Sequence, residues 1–278
     1  MAIEPISPVG MHMSPAHVAR LSMEVEAKLH QSYLRISTGL RITSPAVDPA
    51  GLAQSMRFEN ELGRIDAAQS NMANALSFSA TQQGALEGVG QAVERMGELS
   101  VRAQDMTMNA QDRASVQAEF SRLQEFVSDT TSLQFNGIDL FSPQDLKVTV
   151  DADANVATMK GADLAAPVGS GGLGNVLDGL SVATPTEAVL SSRTLETAVQ
   201  NIATIRANIA AVSQHINVSG ENLSVLAINL NEANGRVVGA DLYKAAPEFA
   251  ADKILADSAL LAFTKANRFP RPGLSVLA

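Results

Sequence analysis

Residues 184–238 read TPTEAVLSSRTLETAVQNIATIRANIAAVSQHINVSGENLSVLAINLNEANGRVV, and this stretch decides the fold. In its first four residues, Thr184 can cap a helix, Pro185 fits the first turn, and Glu187 can reach back to close a capping box. Apolar residues then recur at Leu195, Val199, Ile202, Ile205, Ile209, Val212 and Ile216. Steps averaging about 3.5 residues place them on one side of a helix that needs a partner helix.

The length of this helix is itself informative. At about 1.5 Å per residue the stretch predicts a rod of roughly 75 Å, which no compact single core requires. The apolar series pauses at Ser219-Gly220 and then resumes at Leu223. We expect the pause to mark a shift of register or the close approach of another element.

Composition limits the class of protein. The chain has 278 residues, a net charge of −9, 46% hydrophobic and only 4% aromatic residues, and no Trp. Small side chains let helices approach closely but bury little area each, which favours thin helical bundles. The absence of Cys excludes a disulfide framework and a Cys-based zinc site. The acidic balance argues against nucleic-acid binding, and no run approaches the 18 apolar residues of a membrane span.

The N-terminal part predicts an irregular start over residues 1–13 and then a helix over about 14–39 with a narrow apolar seam. The seam lies at Val18, Leu21, Val25, Leu29, Tyr33, Ile36 and Leu40. A structured linker is predicted next, because four helix-breaking residues follow: Gly39, Pro45, Pro49 and Gly51.

A second long helix is predicted from about Gly51 or Met56 to Met106, and Asp112 is predicted to cap a third. That third helix has Val116, Phe120, Leu123 and Val127 on one face, and residues 134–137 close it with a turn.

The middle and C-terminal parts complete the pattern. Residues 146–150 and 156–159 predict a β-hairpin, and residues 169–179 a glycine-rich loop. After the long helix of residues 184–238, Pro247 is predicted to lie in the first turn of a last helix, about 247–266, which Pro270 and Pro272 end. The predicted fold is mainly α: an elongated antiparallel bundle of long helices with a small β-hairpin region and terminal coiled-coil helices.

No chemical motif predicts catalysis, a cofactor or a metal site. Gly169-x-Gly171-x-x-Gly174 satisfies a dinucleotide-binding pattern, but no strand–helix unit surrounds it, so a flexible loop is the better interpretation. Asp151-x-Asp153-x-Asn155 begins like a calcium loop but lacks the Gly and bidentate Glu that such a loop needs, so a hairpin turn is favoured. The four His residues are scattered.

Six segments in a fixed order carry a family resemblance. They are Ile36–Ser44 (ISTGLRITS), Asp48–Ala53 (DPAGLA), Met96–Arg102 (MGELSVR), Phe135–Gly137 (FNG), Ala240–Tyr243 (ADLY) and Ala266–Leu277 (ANRFPRPGLSVL). Together they resemble the conserved terminal parts of bacterial flagellin and span most of residues 18–140 and 190–278.

The resemblance implies five regions. Residues 1–45 would form an inner-tube helix and the start of a spoke, residues 46–140 the N-terminal half of a rod domain, and residues 141–183 the β-hairpin and glycine-rich loop without a large outer domain. Residues 184–240 would form the C-terminal rod helix, and residues 241–278 a second inner-tube helix.

The resemblance also implies a function and its partners. The chain would be a structural subunit that self-assembles into the helical flagellar filament for motility. It would pass through the flagellar type III exporter and act outside the cell, with an export chaperone, the cap and the hook-junction proteins as further partners. We expect neither an enzyme nor membrane insertion.

Two sets of residues are candidate sites. Short isolated helices with narrow seams are marginal in water, so we expect the terminal helices to gain stability from neighbouring subunits. The assembly residues are predicted to be Leu21, Val25, Leu29, Tyr33, Ile36, Ile254, Leu255 and Leu261. The resemblance further implies a contact with an innate-immune receptor at Arg95, Glu98, Leu99 and Glu119, although Leu99 can equally pack the rod.

Two alternatives of different kinds stay open at this stage. A hook–filament junction protein shares the terminal design and forms short rings, whereas a cell-surface flagellin homologue could act as a polysaccharide-binding module. Electron microscopy of the purified chain distinguishes the filament subunit from both alternatives, because only the filament subunit is expected to form long filaments.

Overall fold

The computed structural model describes residues 15–177 and 179–268, and over these residues the prediction of a mainly α fold is confirmed. The elements in chain order are α1 (Pro15–Thr38), α2 (Pro49–Ala103), α3 (Ala110–Thr131), β1 (Gln134–Phe135), β2 (Ile138–Asp139), β3 (Leu146–Thr149), β4 (Val156–Met159), a 3-10 turn (Val168–Ser170), α4 (Gly174–Leu177), α5 (Pro185–Val238) and α6 (Leu242–Arg268). The predicted irregular start over residues 1–13 and the predicted stop at Pro270 and Pro272 lie outside the described residues.

Helix α5 begins with the predicted capping box. The backbone N–H of Glu187 donates to Thr184 Oγ1 at 3.3 Å, and the backbone N–H of Thr184 donates to Glu187 Oε2 at 3.2 Å. Pro185 is the first helical residue, where a missing N–H costs no helix hydrogen bond. The helix then runs through Ser219-Gly220 to Val238 without a break.

Helix α2 starts earlier than predicted, because Pro49 and Gly51 begin the helix instead of breaking it. Asp48 Oδ1 accepts a hydrogen bond from the Gly51 N–H at 2.9 Å, and Pro49 takes the first helical position. A Cβ on Gly51 would come 2.7 Å from Ile42 Cδ1, so this glycine allows close packing. The prediction that α2 reaches Met106 is also wrong, since the helix ends at Ala103.

Helix α3 is capped by Asn109, and the prediction of Asp112 as the cap is wrong. Asn109 has extended backbone angles, and its side-chain oxygen accepts from the Asp112 N–H at 2.8 Å. The Asn109 amide in turn donates to Asp112 Oδ2 at 2.8 Å. Both residue types favour the cap position, and the structure assigns that position to Asn109.

The predicted turn at residues 134–137 and the predicted β-hairpin are confirmed. Asn136 and Gly137 have φ of +51° and +79°, as a two-residue type I′ turn between β1 and β2 requires. Strands β3 and β4 pair antiparallel, with Leu146 opposite Met159. Asp151 closes their turn, because its Oδ1 accepts from the backbone N–H groups of Asp153 and Asn155.

The glycine-rich segment is packed, so the expectation of a flexible loop is wrong. Leu173 and Val176 are fully buried. A Cβ on Gly172 would come 2.1 Å from the carbonyl oxygen of Ala166, so only glycine fits there. The Asn201 side chain donates to the carbonyl of Gly172 at 3.0 Å. The segment is therefore held by burial and by hydrogen bonds from the Asn201 side chain of α5 to its backbone carbonyls.

Helix α6 begins five residues before its predicted start. Leu242 is its first residue, and Asp241 caps it by accepting from the Tyr243 N–H at 3.0 Å. Pro247 consequently lies inside the helix, where it removes one helix hydrogen bond. The first turn of the helix buries Ala245 against the rest of the unit.

The described chain divides into two compact units. The first contains α1, α6 and the linkers beside them, together with α2 as far as Asn60 and α5 from Asn229 onwards. The second runs from Glu61 to Ile228 and contains the remainder of α2 and α5.

The second unit has a core of heptad spacing along α5. Fully or almost fully buried apolar residues recur every seven positions, at Leu195, Ile202, Ile209, Ile216 and Leu223. Gly220 faces α2, where an added Cβ would make an ordinary contact with Met72 Cε at 3.8 Å. Gln83 and Arg206 join α2 to α5 by two hydrogen bonds. The Gln83 amide donates to the Arg206 carbonyl at 2.8 Å, and Arg206 Nε donates to Gln83 Oε1 at 3.2 Å.

Candidate functional site: the paired terminal helices

Helices α1 and α6 pack against each other as an antiparallel pair within the first unit. The hydroxyl of Ser32 donates to the carboxylate of Asp252, and Arg35 lies 3.8 Å from the carboxylate of Glu248. As the residue number rises along α1, the partner's number falls along α6, which defines the antiparallel direction. The two backbones lie so close that Cα atoms approach within 8 Å along the pair.

Small and polar residues occupy much of the inner face of this pair. On α1 the residues turned to α6 follow steps of three and four: Val18, Ser22, Val25, Leu29 and Ser32. On α6 they are Ala245, Phe249, Asp252, Ala256, Ala259 and Phe263. Ser and Ala at such positions allow the observed close approach but bury little apolar area, so the apolar burial within the pair comes mainly from Val18, Val25, Leu29, Phe249 and Phe263.

The predicted assembly residues divide between two places. Val25 and Leu29 are half-buried on the inner face of the pair. The other six are exposed: Leu21, Tyr33, Ile36, Ile254, Leu255 and Leu261. Tyr33 is 57% exposed although its ring lies 6.5 Å, centroid to centroid, from that of Phe249.

Sequence reasoning missed the residues that join the two helices, namely Ser32, Asp252, Ala256 and Ala259. A search for large apolar side chains does not select them. The signal that could have found them is a heptad-like spacing of small residues along α6, which marks a seam as clearly as Leu or Ile does when helices approach closely.

The linkers beside the pair are joined by backbone pairing. Leu40 and Gly239 form an antiparallel bridge, and the N–H of Arg41 donates to the carbonyl of Val238 at 2.6 Å. Gly39, which ends α1, has a φ of +69° that favours glycine. The chain segments leaving α1 and α5 are therefore held side by side.

Arg41 ties two helix ends together within this unit. Its guanidinium donates to the carbonyl of Val237 at 2.8 Å and to Asp48 Oδ2 at 3.2 Å. The pKa of Asp48 lies below its ordinary value, first because the Gly51 N–H donates to the carboxylate and then because Arg41 donates to it. One cation thus bonds the last turn of α5 and, through Asp48, the first turn of α2.

The predicted receptor-contact residues lie in the second unit, and three of the four meet at the surface. Arg95 Nε donates to Glu119 Oε1 at 2.8 Å, and Arg95 Nη1 donates to Glu98 Oε2 at 2.7 Å. These bonds, the one to Glu119 first, raise the pKa of Arg95. Leu99 is 1% exposed, so its side chain packs inside the unit beneath this cluster.

The described residues offer no group of three or more His, Asp or Glu side chains that could hold a metal ion. Among the helices that the structure describes, none is both long and apolar enough to cross a membrane. The glycines of the dinucleotide-like pattern lie in and around a 3-10 turn and α4, in a segment whose close backbone packing leaves no room for a Cβ at Gly172.

Two family models match the chain. A model described as the bacterial flagellin N-terminal helical region matches residues 12–145, and one described as the bacterial flagellin C-terminal helical region matches residues 193–277. Together they cover well over half of the sequence. The two matched regions contain α1 to α3, most of α5 and all of α6.

Relatives resemble the chain over almost its full length. Flagellin FlaB2 of Treponema pallidum (strain Nichols) is 26% identical over 97% of this chain and 99% of its own. A flagellin of Halalkalibacterium halodurans is 27% identical over 96% of this chain and 98% of its own.

Solved structures share the fold. The crystal structure of Bacillus cereus flagellin aligns with a TM-score of 0.50 at 23% identity, over 55% of this chain and 88% of its own. The structure of a putative flagellar hook-associated protein from Vibrio parahaemolyticus aligns with a TM-score of 0.58 at 13% identity, over 69% of this chain and 100% of its own.

Proposed function

The chain belongs to the bacterial flagellin family, and from that premise we propose that its paired helices α1 and α6 are the part that joins subunits into the filament. The chain is a structural subunit of the flagellar filament, which serves motility. The proposal concerns the contact that makes the polymer.

The observation that carries this proposal is the distribution of large apolar residues over the helix pair. Its inner face mixes Ser32 and Asp252 with apolar residues such as Leu29 and Phe249, whereas Ile254 and Leu261 are left 66% and 63% exposed. Leaving such side chains in water forgoes about 1.5–3 kcal/mol each compared with full burial. A neighbouring subunit that covers them supplies the stabilisation that the pair lacks.

The five regions follow from this assignment. Residues 1–45 and 241–278 form the inner tube, residues 46–140 and 184–240 form the rod, and residues 141–183 form the hairpin and the packed glycine-rich segment. Helices too poorly buried to be stable alone suit an inner tube, because they become ordered where several copies meet. The second unit, with its own heptad core, suits the rod.

Export and localisation follow from the same role. Subunits pass through the flagellar type III exporter with an export chaperone, meet the cap and the hook-junction proteins, and act outside the cell. The exposed apolar residues of α1 and α6 support a chaperone, since such faces aggregate when many copies are stored in the cell. A subunit whose work is assembly requires no catalytic group, so we propose that the chain is not an enzyme.

Truncation tests the proposal. We expect the full chain to form long filaments in electron micrographs after seeding, and a chain lacking residues 242–278 to form none. Circular dichroism provides the control, because the second unit should keep its helices in the truncated chain. Long filaments from the truncated chain would contradict the assembly role of α6.

The same images distinguish the alternatives. Short rings from the full chain would favour a hook–filament junction protein, and a monomer that binds polysaccharide would favour a surface binding module. No feature of the described residues favours either one specifically.

A second proposal concerns the surface cluster of Arg95, Glu98 and Glu119. We propose that an innate-immune receptor contacts these side chains, with Leu99 supporting the helix from inside. Their exposure and mutual hydrogen bonds support a preformed polar patch, and Arg is a residue type that often anchors interfaces.

A further inference from the structure

The paired terminal helices enclose an open groove on one side, which we call the α1–α6 groove. It has a volume of about 380 Å³. Its apolar lining comes from Leu29, Tyr33 and Phe249, and its charged or titratable rim from Glu26, His30, Lys253 and Asp257. The groove is therefore an apolar and aromatic strip between polar edges.

Another face of α6 carries a ridge that fits such a strip. Ile254, Ser258 and Leu261, at steps of four and three residues, lie on one face, which we call the α6 ridge. At 3.6 residues per turn this face points away from Ala256, Ala259 and the other residues turned to α1. All three ridge residues are exposed.

We propose that the α6 ridge of one subunit inserts into the α1–α6 groove of a neighbouring subunit. This inference rests on the proposed role of α1 and α6 in self-assembly and specifies its geometry. The branched side chains of Ile254 and Leu261 pack on the rings of Tyr33 and Phe249, and both surfaces lose their exposure to water. A helix edge laid in an apolar groove is a common recognition mode.

The occupant is a second copy, because the chain is a subunit of a filament and every copy carries both the ridge and the groove. A contact between unlike surfaces leaves a free ridge at one end and a free groove at the other. Such a contact propagates into an open polymer when rotation does not close it into a ring. The chain forms a filament, which is the outcome of this kind of contact.

Charge favours the same arrangement. Within the described part of the chain, the rim carboxylates of Glu26 and Asp257 make no hydrogen bond or ion pair. Lys265 follows Leu261 by four residues and so continues the ridge face. An inserted ridge brings this cation towards the acidic rim of its neighbour.

Disulfide trapping tests the contact directly, because the natural chain has no Cys. Two single variants, His30→Cys in the groove rim and Ser258→Cys in the ridge, are mixed in equal amounts, assembled with seeds and oxidised. We expect a covalent dimer that contains one chain of each variant. The matched control replaces His30→Cys with Glu24→Cys, which lies on another face of α1.

The outcomes separate the contact from the wider proposal. If the full natural chain forms no filaments, the role of α1 and α6 in assembly fails together with this contact. If mixed filaments form without the His30–Ser258 dimer, or cross-link as strongly through position 24, the contact is refuted while the assembly role stands.

A second measurement avoids cysteine altogether. Leu261→Ser on the ridge should raise the critical concentration for polymerisation at least tenfold. Leu190→Ser removes an equally large and similarly exposed side chain from α5, outside the paired terminal helices, and should raise it less than threefold. Equal effects of the two substitutions would overturn the assignment of the ridge, even where a cysteine variant does not polymerise.

Discussion

Gly172→Ala is the sharpest test of the packed glycine-rich segment. An added Cβ would lie 2.1 Å from the carbonyl oxygen of Ala166 and 2.7 Å from its carbon. Both atoms belong to the backbone, so no rotamer change relieves the overlap. The segment cannot easily move away, because Asn201 donates to the carbonyls of Val168 and Gly172, at 2.8 Å and 3.0 Å.

The expected cost follows from overpacking. Forcing atoms into a well-packed site typically costs about 1–3 kcal/mol, and we expect the upper part of this range because the backbone must shift. Gly169→Ala is the matched control, since nothing lies within 4 Å of its added Cβ and its φ is not positive. That control should be neutral or stabilise by up to about 1 kcal/mol, because alanine restricts the unfolded chain.

Urea denaturation followed by circular dichroism measures the free energy of unfolding. With a slope of about 2 kcal/mol per molar urea, the midpoints of the two variants should differ by about 1–2 M. Hydrogen exchange locates the effect, and protection should fall in residues 162–182 of Gly172→Ala only. Midpoints and exchange that agree between the two variants would refute the packed segment and favour a flexible loop.

Three further predictions concern other sites. Asn109→Ala should lower the free energy of unfolding by about 1 kcal/mol in urea titrations, because α3 loses its cap; an unchanged midpoint would restore Asp112 as the cap. Because the pKa of Asp48 lies below 3.8 in the folded chain, its carboxylate stabilises the fold above that pH, and the stabilisation is lost as pH falls through the folded pKa. The melting temperatures of the natural chain and Asp48→Ala should therefore differ near neutral pH and converge in acid; a gap that persists in acid would exclude the charge as its cause. Arg95→Ala should abolish most receptor activation in a reporter-cell assay with an unchanged melting temperature, whereas Leu99→Ala should cost about 2–5 kcal/mol of stability; full activation by Arg95→Ala would exclude the receptor contact.

Local hydrogen bonds explain which elements could be predicted. The capping box of Thr184 and Glu187 and the turn at Asn136-Gly137 are satisfied by atoms a few residues apart, so the sequence alone specifies them. The same holds for the Asp151 turn. One error, the cap of α3, arose because Asn109 and Asp112 could serve the same local purpose.

The candidate site was predicted only in part. Periodicity predicted a narrow apolar seam on α1, but the structure turns only Val18, Val25 and Leu29 of that seam inwards and leaves most of the predicted assembly residues exposed. Periodicity could not identify Ser32 and Asp252 as inner residues of the pair, because a polar residue at a seam position carries no hydrophobic signal. The distance between the two backbones decides which side chains fit between them.

The sequence by itself determined the helical class, the capped start of α5, the hairpins and the membership of the family, because short-range bonding and periodicity suffice for these. Only the tertiary structure decided that Gly172 packs against Ala166, that α6 continues through Pro247, and that α1 and α6 meet through small residues. Each of these depends on contacts set by the tertiary packing, such as the bond from Asn201 of α5 to the Gly172 carbonyl. There burial and close packing outweigh the local preference of glycine, proline or serine for a break.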